Sequence, residues 1–130
     1  MDKFMRIAMA TLAAGAILGG ATRAVGAEEG GITAEGRCSA SSTWGLTIAP
    51  EIGLAMEVEI ESGVADEPWR VRLIYNGHLM LEELEYTEEP DGAFEIFKVE
   101  NNAEGEDSVK VRAHNLETGE ICWGQIQAEL

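Results

Sequence analysis

From Leu54 to Glu61 the chain alternates without a break: Leu54, Met56, Val58 and Ile60 are interleaved with Ala55, Glu57, Glu59 and Glu61. Period-two alternation sends successive side chains to opposite faces of an extended chain, so this stretch fits a strand with one face buried and the other in water. Elsewhere after residue 27, short runs of alternating or β-branched residues recur between turn signals, and none keeps a helical period. Strands are expected near Arg37 to Ser41, Trp44 to Ala49, Leu54 to Glu61, Trp69 to Tyr75, His78 to Tyr86, Ala93 to Val99, Ser108 to Asn115 and Glu120 to Ala128. Tyr75-Asn76-Gly77-His78 predicts a two-residue hairpin, because Asn and Gly both accept the positive φ of that turn. Glu89-Pro90-Asp91-Gly92 and Glu117-Thr118-Gly119 predict further turns.

Seven or eight short strands, each apolar on one face, predict an all-β domain of two sheets packed face to face, an immunoglobulin-like β-sandwich over residues 36–130; a small β-barrel is the alternative. The phase of alternation assigns faces. Trp69, Val71, Leu73 and Tyr75 point inward, as do Val109, Val111 and Ala113, and Cys122, Gly124 and Ile126 on the last strand. In an immunoglobulin-like arrangement the strands at Trp69, Ser108 and Glu120 share one sheet, and Leu54 to Glu61 lies in the other. Arg70, Arg72, Ile74, Lys110, Arg112 and Trp123 then gather on one outer face, while Glu57, Glu59 and Glu61 occupy the opposite one. This basic, aromatic set is the candidate binding patch, suited to an anionic or sugar-like ligand or to a protein hot spot. The same long side chains would also serve simply to cover a sheet face.

Residues 1–27 have the three parts of an export signal: a basic start at Lys3 and Arg6, an apolar run from Ile7 to Ala21, and Val25-Gly26-Ala27 with small residues where signal peptidase needs them. Cleavage is expected after Ala27. The apolar run is shorter than the ~20 residues that span a bilayer, so no stable membrane span is expected after cleavage. Residues 28–35, Gly-rich and acidic, are expected to form a flexible lead-in. Two cysteines in an exported domain are expected to pair, and a Cys38–Cys122 bridge closing so long a loop should stabilise the fold by roughly 4 kcal/mol.

Cleavage removes Lys3, Arg6, Arg23 and Asp2, leaving six basic against 23 acidic residues, a net charge of −17. Such a surface repels nucleic acid, whose binding depends on phosphate contacts. No nucleophile elbow, zinc motif or phosphate loop is present, and His78 and His114 have no ligand-like neighbours in sequence. Acidic turns at Asp66-Glu67, Glu88 to Gly92 and Glu104 to Asp107 lack the alternating order of a calcium loop. No catalytic residue, metal or cofactor is therefore assigned. A monomeric, secreted, non-catalytic module that binds a protein or glycan is expected; a small secreted hydrolase, or an inhibitor of one, is the alternative.

Cys38-Ser39, Ser42-Thr43-Trp44, Trp69-Arg70-Val71, Asn76-Gly77, Gly92-Ala93-Phe94 and the run Ala113-His114-Asn115-Leu116-Glu117-Thr118-Gly119-Glu120-Ile121-Cys122 together resemble small exported bacterial proteins of unassigned function with an immunoglobulin-like sandwich. The resemblance spans nearly the whole domain. It implies the fold and export and carries no chemistry; this chain is the more acidic.

Overall fold

The structure, a computed structural model, describes residues 25–28, by their backbone, and residues 31–130. The expected signal segment up to residue 24 lies outside them. Nine strands follow in order: β1 (Val25–Glu28), β2 (Gly31–Arg37), β3 (Thr43–Glu51), β4 (Gly53–Glu61), β5 (Pro68–Tyr75), β6 (His78–Tyr86), β7 (Ala93–Glu100), β8 (Asp107–Asn115) and β9 (Ile121–Ala128). They form two antiparallel sheets, β1-β2-β3-β4-β7 and β6-β5-β8-β9. Neither sheet closes on itself, so the architecture is a sandwich and not a barrel. The expected division holds: β5, β8 and β9 share one sheet and β4 lies in the other.

Alternation fixes what each strand buries. Leu54, Met56, Val58 and Ile60 from β4 meet Trp69, Val71 and Leu73 from β5, with Val109, Val111, Ala113, Cys122 and Ile126 completing the second sheet's inner face. At the β5–β6 turn Asn76 and Gly77 both have positive φ, 49° and 85°, and Tyr75 pairs with His78. That is the hairpin the Asn-Gly pair dictates.

The start of the domain differs from the sequence expectation. Residues 31–37 form β2, paired with β3 from Ile32 to Arg37, where a flexible lead-in to residue 35 was expected. Of the strand expected from Arg37 to Ser41 only Arg37, the end of β2, is extended: the chain leaves the sheet at Cys38 and turns back, with the Cys38 amide donating to Ser42 O at 2.9 Å. The physical reason is the small inward set of β2. Ala34 and Gly36 carry too little apolar bulk to register as a buried face, yet Gly36 lies under the indole of Trp44, where an added Cβ would come within 3.0 Å of Nε1. β1 crosses the expected cleavage point, so a cut after Ala27 would leave β2 at the sheet edge.

Cys38 and Cys122 are bonded, with Cα atoms 4.3 Å apart. The bridge ties the end of β2 in one sheet to β9 in the other. Trp44 fills the space beside Gly124 on β9, which presents no side chain there, and a Cβ at that position would clash with the ring carbons Cη2, Cζ3 and Cζ2.

Candidate functional site

All six residues of the predicted patch fall on the outer face of the β6-β5-β8-β9 sheet. Arg70, Arg72, Lys110, Arg112 and Trp123 are exposed and Ile74 is half-buried. Register brings them together. Arg72 pairs with Arg112, which pairs in turn with Trp123, while Ile74 pairs with Lys110 and Arg70 with His114. Neighbouring strands lie about 4.8 Å apart, so the row Glu82–Arg72–Arg112–Trp123 spans roughly 14 Å across four strands. On β6 Glu82 lies opposite Arg72 and accepts a hydrogen bond from its Nε at 3.1 Å.

The electrostatics of this face run against the rest of the domain. Four of the six Lys and Arg residues after Ala27 are here. Like charges directly opposite on antiparallel strands are destabilising, so the Arg72–Arg112 pair is held at a cost to the fold. The exposed ion pair with Glu82 offsets little of that. The other sheet's outer face carries Glu57, Glu59 and Glu61 on β4, with Glu35 on β2 and Glu95 on β7 in line with Glu59. Burial pushes the Glu35 carboxyl above its ordinary pKa.

Sequence reasoning missed the apolar part of the basic face. Leu79, Leu84 and Tyr86 on β6 are about half exposed and pair with the outward residues Ile74, Arg70 and Pro68. Plain alternation does not find them, because a register shift between Leu73 and Ile74 breaks the phase of β6 against β5. No family model, curated protein or solved structure matches the chain.

The acidic turns are not uniformly solvated. Glu67 is buried and its Oε1 accepts from Asn115 Nδ2 at 3.0 Å. Asp107 is buried, accepting from Tyr75 Oη at 2.7 Å, and the Tyr75 hydroxyl in turn accepts from the Ala103 amide. Burial, and to a smaller degree Asp107, raises the Tyr75 pKa, partly opposed by the Ala103 hydrogen bond. Among the described residues no group of three or more His, Cys, Asp or Glu is placed to hold a metal. No helix among them is long and apolar enough to cross a membrane.

At one end of the sandwich the β2–β3, β4–β5 and β8–β9 loops line an open cleft of about 330 Å3. Glu120 is its best-anchored wall. Its Oε2 accepts from the amides of Ala40 and Ser42, and its Oε1 from Ser42 Oγ at 2.6 Å. The two carboxyls whose burial raises their pKa, Glu35 and Glu85, do not line it.

Proposed function

We propose that this protein is an exported, non-catalytic β-sandwich module that binds a partner through the outer face of the β6-β5-β8-β9 sheet. One observation carries the reading: four of the domain's six cationic side chains, with Trp123, converge on one face of an otherwise acidic molecule, two of them directly opposite each other despite their repulsion. Arg and aromatic side chains are the residue types that dominate binding energy at interfaces. Leu79, Leu84 and Tyr86 extend the face with apolar area, which favours a protein partner with acidic and apolar surface over a free glycan. Export rests on the three-part N-terminal segment and on the disulfide, which belongs to an oxidising compartment.

Affinity capture from extracytoplasmic fractions tests this. The immobilised protein should retain a partner that an Arg112→Glu/Trp123→Ala variant of equal thermal stability does not. Recovery of the same partner by both proteins, or of none by either, would contradict the reading.

A further inference from the structure

The two sheets end in four edge strands, β1 and β7 in one and β6 and β9 in the other. An edge strand offers a row of backbone groups to any other extended chain, and soluble proteins blunt it with charge, above all charge that points inward. Three of the four edges follow that rule: Glu28 lies on β1, Glu83 and Glu85 on β6, and Glu95 and Lys98 on β7. β9 does not. Ile121–Ala128 includes no charged side chain and no proline. In a chain with 24 Asp and Glu residues, one edge of the basic sheet is defended and the other is neutral.

Register shows which backbone groups face that neutral edge. The Asn115 amide donates to Glu120 O, which begins the hydrogen-bonded pairs between β8 and β9. In an antiparallel ladder such pairs alternate with pairs whose backbone groups face away. Cys122, Gly124 and Ile126 therefore bond β8, while Ile121, Trp123, Gln125 and Gln127 direct N–H and C=O outward. The β2–β3 loop already uses the first of these positions: Ile121 O accepts from the Ser39 amide at 2.8 Å, and the Ile121 amide donates to Ser39 Oγ at 2.9 Å. The edge thus pairs with another segment at Ile121. Trp123 and Gln127, further along, are exposed.

The side chains at these outward positions lie on the basic face. A strand added beside β9 continues the row Arg72–Arg112–Trp123 and the row Ile74–Lys110–Gln125. Its outward side chains then sit next to Trp123 and about 10 Å, two strand spacings, from the backbone of Arg112 and Lys110. Long acidic side chains there meet cations, and basic ones are repelled. Resting on the reading of the basic sheet as a binding surface, we infer that β9 takes an extended acidic segment of the partner protein as an added antiparallel strand, with its acids on the outer face beside Trp123. Backbone pairing supplies affinity in such an addition, and alternate side chains supply selection. A second copy of this domain is the poorer occupant: β9 against β9 sets two basic faces side by side, on bodies that each carry a net charge of −17 after cleavage.

Hydrogen exchange and amide shifts of the isotope-labelled, exported protein provide the test. The probes are a short capped peptide of alternating glutamate and valine, its lysine–valine counterpart, and two N-methylated forms of the first. In the antiparallel pairing the amides of the outward glutamates face β9 and those of the valines face away. At saturation the glutamate peptide should slow exchange of the Trp123 and Gln127 amides about tenfold, and the lysine peptide should not bind. N-methylation at the valines should be tolerated, whereas N-methylation at the glutamates should weaken binding about tenfold. Gln127→Pro removes one outward N–H and no bond to β8, and should weaken the peptide at an unchanged melting temperature. Binding undiminished by methylation at the glutamates, or without protection of Trp123 and Gln127, would overturn strand addition while leaving the basic sheet as a side-chain surface. No binding, or equal binding of the lysine peptide, would overturn it as well, and capture with Arg112→Glu/Trp123→Ala decides the reading of the basic sheet separately. Protection of the same amides that rises with protein concentration in the absence of peptide would give the edge to a second copy and overturn the acidic occupant. The peptide comparisons use the unmodified protein and stand even where the proline variant folds poorly.

Discussion

At the residue scale, the fit of Trp44 depends on what two other positions lack. Its indole lies between β2 and β9 because Gly36 and Gly124 leave room for it, and it is buried at 2% exposure. Adding one methyl at Gly124 forces the ring or the strand to move, and overpacking of this kind costs about 1–3 kcal/mol. Gly124→Ala should therefore lower the urea midpoint with little change in slope. An unchanged midpoint would mean that Trp44 has another place to go. The inward phase of Gly124 was legible in the sequence, since it falls between Cys122 and Ile126. Its partner was not, because a glycine in an inward position says that something large is near without saying what.

At the element scale, the strands differ in how plainly the sequence declares them. β4 and β5 have large apolar side chains at every second position, and in β8 and β9 the inward Val109, Val111, Ala113, Cys122 and Ile126 alternate with polar or exposed residues, so the presence and faces of all four follow from pattern. β2 does not, because Ile32, Ala34 and Gly36 form a thin inner face whose partner is a side chain from β3. β6 is an edge strand of another sort. Glu83 and Glu85 occupy its inner phase, paired with Val71 and Trp69, where a central strand would bury hydrocarbon. Inward-pointing charge is one way a sheet edge is kept from pairing with another chain.

That placement strains the β6 acids electrostatically. Burial raises the pKa of Glu85, reinforced by the hydrogen bond that its protonated carboxyl donates to Glu83 and by the charges of Glu83 and Glu88. A carboxyl whose pKa is higher folded than unfolded contributes stability that is complete below its unfolded pKa and is lost as pH rises through the folded value. Ionised Glu85 is thus a liability at neutral pH. Glu85→Gln should raise the melting temperature at pH 7, and the gain should shrink towards zero below about pH 4, where the native carboxyl is protonated in both states. Equal gains at both pH values, or a loss at pH 7, would show that its charge is not what opposes folding.

At the scale of the whole molecule, two sheets of unlike charge are packed back to back. The outer face of one presents Arg70, Arg72, Lys110 and Arg112 with Trp123, Leu84 and Tyr86; that of the other presents Glu35, Glu57, Glu59, Glu61 and Glu95 with the exposed Phe97. The candidate face was legible because it follows from strand phase and sheet assignment alone. The end cleft was not, since it is built from three loops distant in sequence, and burial of Glu67 and Glu120 depends on how those loops fold over them. The two faces carry opposite charge, but each offers an exposed apolar residue, which gives a direct comparison. A photo-cross-linking amino acid placed at Leu84 on the basic face, and separately at Phe97 on the acidic face, in cells making the full chain, reports which surface, if either, meets a partner. A defined adduct from position 84 and none from position 97 is the result expected of a module that binds through its basic sheet. Adducts from position 97 alone, or equally from both, would contradict it.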